Sequence, residues 1–285
     1  MSFELITGGH NSGKTRYVFD KIKDYAKDIR RECILIVPDQ MTFQKEKELI
    51  NHLDNQGILN VQVLSFNRLA YVVLEETGGL KTESINDYGK MMLIRKIIHE
   101  NRDKLVLFKN HSSQQGVLKE INNLINEFKT CNVSADFLSS VKNTLNEEDS
   151  FRGKLIDIEL IYRGLNEYMD NTYLDDLDLI KLCSNKISDS LLARSATFFI
   201  DEFLDFNEGE LELIKQIAIV GENIYIALNN SNDDFYDSQD VYSIARTNIK
   251  RIKDMADNIG KHINVVECGE VSCLAIDADH LSQHF

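Results

Sequence analysis

The chain has 285 residues, 43% of them hydrophobic and 27% charged, with a formal net charge of −14. That length holds one large domain or two modest ones, and the composition is that of a folded protein with a substantial core. It excludes a protein that coats DNA through bulk electrostatics, and no apolar run approaches the length of a membrane span.

The N-terminus, MSFELITGG, has neither a basic nor an extended apolar segment of the secretory kind, so a cytoplasmic protein that does not enter membranes is expected. Five scattered cysteines (Cys33, Cys131, Cys183, Cys268 and Cys273), with no CxxC pair, fit reduced thiols in that compartment. The closest pair, Cys268 and Cys273, is not read as a metal site. Acids and bases roughly balance over the first 75 residues, and the acidic excess lies beyond them. A local nucleic-acid surface in the first third is compatible with that distribution.

The first third alternates strand and helix. Residues 3–7 form a short apolar run that stops at glycines, which predicts a buried strand. Residues 15–29 have helical spacing, with Val18, Ile22, Tyr25 and Ala26 on one face. The run CILIV at 33–37 predicts a second buried strand, ended by Pro38, the only proline. A helix over 42–53, a strand over 61–65 and a helix to about residue 74 follow. This β-α-β-α order predicts a parallel sheet covered by helices. From about 84 to 187 the periodicities are helical, with stripes such as Val117, Ile121, Leu124, Ile125 and Phe128, and no strand is predicted. Strands return at 197–201, 224–228 and 263–267, with helices over 208–219 and 242–259 between them. The expected organisation is an α/β fold in two parts, 1–80 and 195–285, interrupted by an all-helical insertion over 81–194.

The segment GGHNSGKT satisfies the GxxxxGK[ST] phosphate-loop pattern and lies where a predicted strand runs into a predicted helix. Gly8, Gly9, Asn11, Ser12 and Gly13 would wrap main-chain N–H groups around phosphate, helped by the helix N-terminus. Lys14 would reach the outer phosphates of ATP, and Thr15 would bind Mg²⁺ through its hydroxyl. His10 lines such a site without a catalytic role. TFFIDEF ends an apolar strand on Asp201 and Glu202. With the phosphate loop, this pair suggests Asp201 as the Mg²⁺-side carboxylate and Glu202 as the catalytic group that orients the attacking water. Glu147, Glu148 and Asp149 read as a solvated loop. Asp175, Asp176 and Asp178 read as acids at a helix start, where the macrodipole favours them, rather than as a metal site.

The residues following Asp201, DEFLDFN, resemble the DEFQD-type motif of superfamily 1 DNA helicases of the UvrD/PcrA kind, with Leu204 in the glutamine position. ILIVPDQMTFQKE (34–46) and VQVLSFNRLAYVVLEETGG (61–79) resemble two DNA-contacting motifs of the same group. VPDQMTFQ together with SFNRLA is similar to the AddB family, the B subunits of bacterial AddAB helicase–nucleases, and that resemblance runs along essentially the whole chain. It implies a RecA-like P-loop domain with a 1B-like helical insertion. It also implies ATP and Mg²⁺ as cofactors, DNA and an AddA-like helicase–nuclease subunit as partners, and a role in processing double-strand breaks for recombinational repair. Since chains of that family are several times longer, this sequence is expected to be an N-terminal part. The family's nuclease and iron–sulfur cluster lie outside it.

Three departures bear on activity. The adenine-reading glutamine motif that precedes the first strand in such motors is missing. The segment IYIALNNSNDDFYDSQD (224–240) has lost the phosphate-sensing motif. The second RecA-like domain, which supplies an arginine to the transition state in that group, is not expected within these residues. The expectation is a chain that binds ATP–Mg²⁺ and hydrolyses it poorly, with a non-catalytic nucleotide-binding scaffold as the alternative. A P-loop small-molecule kinase fits less well, because no arginine-rich lid is present.

By the same resemblance, Gln40, Thr42, Phe43, Ser65, Phe66 and Arg68 face single-stranded DNA. Hydroxyls, amides and Arg68 would meet phosphate, and Phe66 would stack on a base. Thr42 and Ser65 suit helix N-caps equally well, and Phe43 and Phe66 suit core positions.

Overall fold

A computed structural model describes residues 2–53, 59–78, 80, 83–111, 113–146, 150–170, 172–230 and 243–269. Within them the chain runs β1 (Phe3–Gly8), α1 (Lys14–Ala26), β2 (Cys33–Ile36), α2 (Thr42–His52), β3 (Val61–Leu64) and α3 (Phe66–Thr77). Next come β4 (Glu83–Ser84), α4 (Asp87–Glu100), α5 (Gln115–Thr130), α6 (Ala135–Thr144), α7 (Ser150–Met169), β5 (Tyr173–Leu174) and α8 (Asp176–Lys186). The last part is α9 (Leu191–Ser195), β6 (Thr197–Ile200), α10 (Glu208–Val220), β7 (Asn223–Asn229), α11 (Ser243–Asn258) and β8 (Ile263–Glu267). The predicted cluster at 147–149, the stretch 231–240 and Cys273 lie outside the described residues. Among the described residues no helix is long and apolar enough to cross a membrane.

Two compact units result: residues 1–79 with 182–206 and 210–285, and residues 80–181 with 207–209. The chain returns to the first unit at residue 182, inside α8, where the sequence reading put the boundary at 194. The physical reason is local. Glu76 of α3 accepts hydrogen bonds from the Ser190 hydroxyl and from the Leu191 N–H at 2.7 Å. That fastens the start of α9 to the first unit.

In the first unit, six strands pair in the order β3-β2-β6-β7-β1-β8, all of the ladders parallel. The strands are continuous apolar runs because a parallel sheet is buried on both faces. Ile6, Cys33, Leu35, Val37, Phe199, Tyr225 and Ala227 pack with Val18, Phe19 and Ile22 of α1 and Leu49 of α2. Residues one step along each strand, such as Leu5, Ile34, Ile36, Phe198, Ile200, Ile224 and Ile226, point to the opposite face. The strand order explains which helices cover which face. The steps β1→β2→β3 run one way across the sheet, and β3→β6→β7→β8 run back. With right-handed crossovers, α1 and α2 therefore lie on one face and α3, α10 and α11 on the other. Parallel pairing also brings the C-terminal ends of all six strands to one edge.

The second unit is built on a core of Ile94, Ile97 and Ile98 of α4, Leu118, Ile121 and Ile125 of α5, Ala135 and Leu138 of α6, and Ile158, Ile161 and Leu165 of α7. It is not all-helical: β4 and β5 form a two-residue parallel ladder, Glu83 with Tyr173 and Ser84 with Leu174. So short a bridge is closed by tertiary packing and leaves no alternation for a sequence reading to find.

Candidate functional site

The loop between β1 and α1 is shaped by residues that tolerate close approach and left-handed backbone. A Cβ on Gly8 would lie 2.4 Å from Ser12 Oγ and 2.6 Å from the carbonyl oxygen of Cys268, so only glycine fits there. Asn11 (φ 57°) and Gly13 (φ 88°) turn the chain through the left-handed region, which Asn and Gly adopt most readily. Gly13 occupies the N-cap of α1 without a side chain to cap it, which leaves the first-turn N–H groups for an anion. The buried Lys14 ammonium folds back over this loop. It donates to the carbonyls of Gly8 at 3.0 Å and Gly9 at 2.5 Å, and to Ser12 Oγ at 3.3 Å.

β6 ends at the same edge, with β7 between it and β1. It delivers Asp201, which is only 3% exposed. Asp201 Oδ1 accepts the Glu202 N–H at 2.9 Å, whereas Oδ2 is buried with no hydrogen-bond partner among the described residues. Burial pushes the Asp201 carboxyl up to about 6. The Thr15 hydroxyl, the Glu202 N–H and Lys45 pull it back only in part, and the negative charge of Glu202 adds to the rise. Glu202 follows with a left-handed backbone (φ 68°). Its Oε1 accepts from the Thr15 hydroxyl at 3.4 Å and lies 2.6 Å from the Lys45 ammonium.

Together these groups enclose a cleft of about 210 Å³ lined by His10, Asn11, Ser12, Gly13, Lys14, Thr15, Asp201, Glu202, Phe203, Ala227 and Asn229. Gly8 and Gly9 stand behind it and present their carbonyls to Lys14. The sequence reading missed Lys45, Phe203, Ala227 and Asn229. Lys45 left a signal: it falls four residues after Met41 and four before Leu49, on the apolar stripe of α2, where a lysine needs a partner.

The six candidate nucleic-acid contacts divide. Gln40, Phe43 and Arg68 are exposed, Phe43 at 78%, and Thr42 is half-buried, its hydroxyl donating to the Asp39 carbonyl at 3.0 Å. Asn67 donates to Asp39 Oδ2 at 3.4 Å, which links the loop after β2 to the loop after β3. Ser65 and Phe66 are interior. The Ser65 hydroxyl caps α3 by accepting the Arg68 N–H at 3.3 Å. The Phe66 ring is 3% exposed and packs on Phe203 and Phe206, with centroids 5.2 and 6.4 Å away. The expected stacking of Phe66 on a base is therefore corrected: no face of the ring is open to one.

In the helical unit, Asp175 and Asp178 meet lysines. Lys129 lies 2.9 Å from Asp175 and 2.6 Å from Asp178, and Lys90 lies 3.3 Å from Asp175. The described cysteines, Cys33, Cys131, Cys183 and Cys268, are free thiols.

The family model described as "ADDB, N-terminal" matches residues 5–278 of this chain. The B subunit of the ATP-dependent helicase/deoxyribonuclease of Lysinibacillus sphaericus (strain C3-41) is 30% identical over 266 residues, covering 91% of this chain and 23% of the relative. The protein of the same name from Clostridium botulinum (strain Loch Maree / Type A3) is 34% identical over 264 residues, 90% of this chain and 23% of its own. That from Listeria monocytogenes serotype 4a (strain HCC23) is 33% identical over 244 residues, covering 86% and 21%. The chain thus spans under a quarter of the length of these relatives.

Proposed function

Given that the chain belongs to the AddB N-terminal family, we propose that its sheet unit is a RecA-like P-loop domain. In this reading it binds ATP–Mg²⁺ within a cytoplasmic DNA-end-processing protein that acts in recombinational repair. The helical unit corresponds to a 1B-like insertion. The relatives share a name, that of the B subunit of an ATP-dependent helicase/deoxyribonuclease. That name supports DNA and a second, AddA-like chain as partners of the longer protein.

The observation that carries the reading is the pairing of a glycine-shaped anion cradle with a buried carboxylate oxygen that has no hydrogen-bond partner among the described residues. Asp201 Oδ2 and the Thr15 hydroxyl suit one side of a hard divalent cation. Among the described residues no group of three or more His, Cys, Asp or Glu is arranged to hold a metal. A Mg²⁺ ion with few protein ligands, completed by water and substrate phosphates, fits that donor set. Bound there, the ion would neutralise charge on the outer phosphates. Lys14 would leave its two carbonyl partners to donate charge-assisted hydrogen bonds to phosphate. Glu202 is the group nearest to orient water, and Gln40, Thr42, Phe43 and Arg68 form the edge proposed to meet single-stranded DNA.

Calorimetry of ATP–Mg²⁺ with the wild-type chain and with Lys14→Ala tests this. Charge-assisted hydrogen bonds contribute about 1.5–3 kcal/mol each, so the variant should bind roughly tenfold to a hundredfold more weakly or not at all. Equal affinity in both chains would end the proposal.

A further inference from the structure

Glu202 has a partner that nucleotide binding does not require. Lys45 reaches it from the buried stripe of α2 with a side chain only 7% exposed, and takes Glu48 as a second partner at 2.9 Å. Burial disfavours its charge, but the two carboxylates outweigh burial and hold the ammonium above its ordinary value. Lys45 therefore stays a cation at neutral pH, and a buried cation is stable only when paired. On the other side, Glu202 holds a left-handed backbone (φ 68°), a conformation that a non-glycine residue rarely adopts and that clusters at functional sites. Its Oε1 is shared between the Lys45 ammonium and the Thr15 hydroxyl. A carboxylate acts as a general base only when it reaches the proton of the attacking water.

We propose that Lys45 is a positioning residue that latches Glu202 to α2, holding the carboxylate in an ion pair in place of the water it would orient. The inference rests on the nucleotide reading above and deepens it: the site binds ATP–Mg²⁺ with its acid engaged elsewhere. Neither Glu48 nor Glu202 is fully buried, so both can hydrate once Lys45 is neutralised.

The test compares the wild-type chain with Lys45→Met, Lys45→Arg and the double variant Lys45→Met/Glu202→Gln. ATP–Mg²⁺ affinity is read by calorimetry and hydrolysis in single turnover. Lys45→Met should still bind nucleotide. General-base catalysis contributes roughly 10²–10⁴-fold, so even partial release of Glu202 should raise its hydrolysis by about tenfold or more. The double variant should lose that gain, and Lys45→Arg, which keeps the cation, should not show it. Bound nucleotide with hydrolysis unchanged or slower in Lys45→Met overturns the latch. Absence of nucleotide binding in the wild-type chain overturns the reading beneath it, an outcome calorimetry separates from the first. Should Lys45→Met not fold, Lys45→Gln removes the charge with a polar side chain and carries the same two outcomes.

Discussion

Among the described residues three aspartates are buried almost completely, two in the helical unit and one in the sheet unit, and they differ in a single oxygen. Asp157 (0% exposed) accepts the N–H groups of Val106, Leu107 and Phe108 at 2.7–2.8 Å, using both oxygens. Asp175 (4%) accepts the Asp178 N–H at 2.9 Å on one oxygen and the Lys90 and Lys129 ammonium groups on the other. Asp201 (3%) satisfies one oxygen and leaves the second bare among the described residues. A buried polar atom without a partner costs about 1–3 kcal/mol, more when charged. The first two aspartates are architecture, clamping a loop and tying α4 and α5 to α8. The third bears a cost that Thr15, the Glu202 N–H and Lys45 offset only in part. The difference agrees with the proposal that the sheet unit carries the nucleotide site.

The largest effect is expected where a buried charge network is cut. Asp175→Ala strands Lys90 and Lys129, whose side chains are 6% and 8% exposed, and removing one member of a buried ion pair costs roughly 3–5 kcal/mol. In the intact chain burial pushes Asp175 up, but Lys129, the Asp178 N–H and Lys90 outweigh it and hold the carboxyl below its ordinary value. Its stabilising contribution is thus present above the usual carboxylate range and lost as pH falls below it. Urea unfolding followed by circular dichroism should show the variant losing the helical transition at lower urea. A midpoint unchanged from wild type would remove Asp175 from the architectural side of the comparison.

Asp201 should behave in the opposite sense. Its folded-state value is raised to about 6 from an ordinary 3.8, so the folded chain keeps a proton that the unfolded chain releases. Stability therefore falls as pH rises between those values, and the full cost is present above about 6. Asp201→Asn abolishes that cost. The variant should be more stable than wild type at pH 7, by up to about 3 kcal/mol if the whole shift is expressed, and the advantage should vanish below about pH 4. Since Mg²⁺ takes the ionised form, wild-type affinity for ATP–Mg²⁺ should rise through pH 6, and Asp201→Asn should lose both the affinity and its pH dependence. A variant less stable than wild type at pH 7 would mean that Asp201 has an unseen partner and belongs with Asp157 and Asp175.

Much of this contrast was legible in the sequence, for identifiable reasons. Strands buried on both faces must be continuous apolar runs, so CILI and TFFI declare themselves. A tight turn with a close backbone approach at Gly8 and a left-handed residue at Gly13 needs glycines, which declare the loop between β1 and α1. What stayed hidden depends on residues far apart in sequence. Phe43 and Phe66 both sit at helix starts after strands, and nothing local separates them. Phe66 is interior because Phe203 and Phe206, from the loop after β6, cover it. The insertion of β7 between β1 and β6 follows from pairing alone. α6 buries only Ala135 and Leu138, too thin a stripe to read, although Ser134 signals its start by accepting the Phe137 N–H at 3.1 Å. The partners of Asp175 come from α4 and α5, so the sequence could offer only the helix macrodipole as a reason for acids at that position.

The smallest expected effect sharpens the same comparison at the surface. Each unit carries an aromatic residue of nearly equal exposure near a helix start, Phe43 at 78% on α2 and Tyr88 at 76% on α4. If the strand-end edge of the sheet unit meets single-stranded DNA, the two rings are equivalent in hydration but not in function. Base–aromatic stacking contributes about 1–3 kcal/mol, so Phe43→Ala should weaken binding of a fluorescent oligothymidine by roughly tenfold. Tyr88→Ala should leave that affinity unchanged. Neither substitution should alter stability much, since an exposed side chain loses little burial on truncation. Equal losses in both variants would show that exposure of an aromatic ring, rather than the sheet edge that presents it, governs contact with DNA. Loss confined to Tyr88→Ala would move the nucleic-acid face to the helical unit and leave the sheet unit with nucleotide alone.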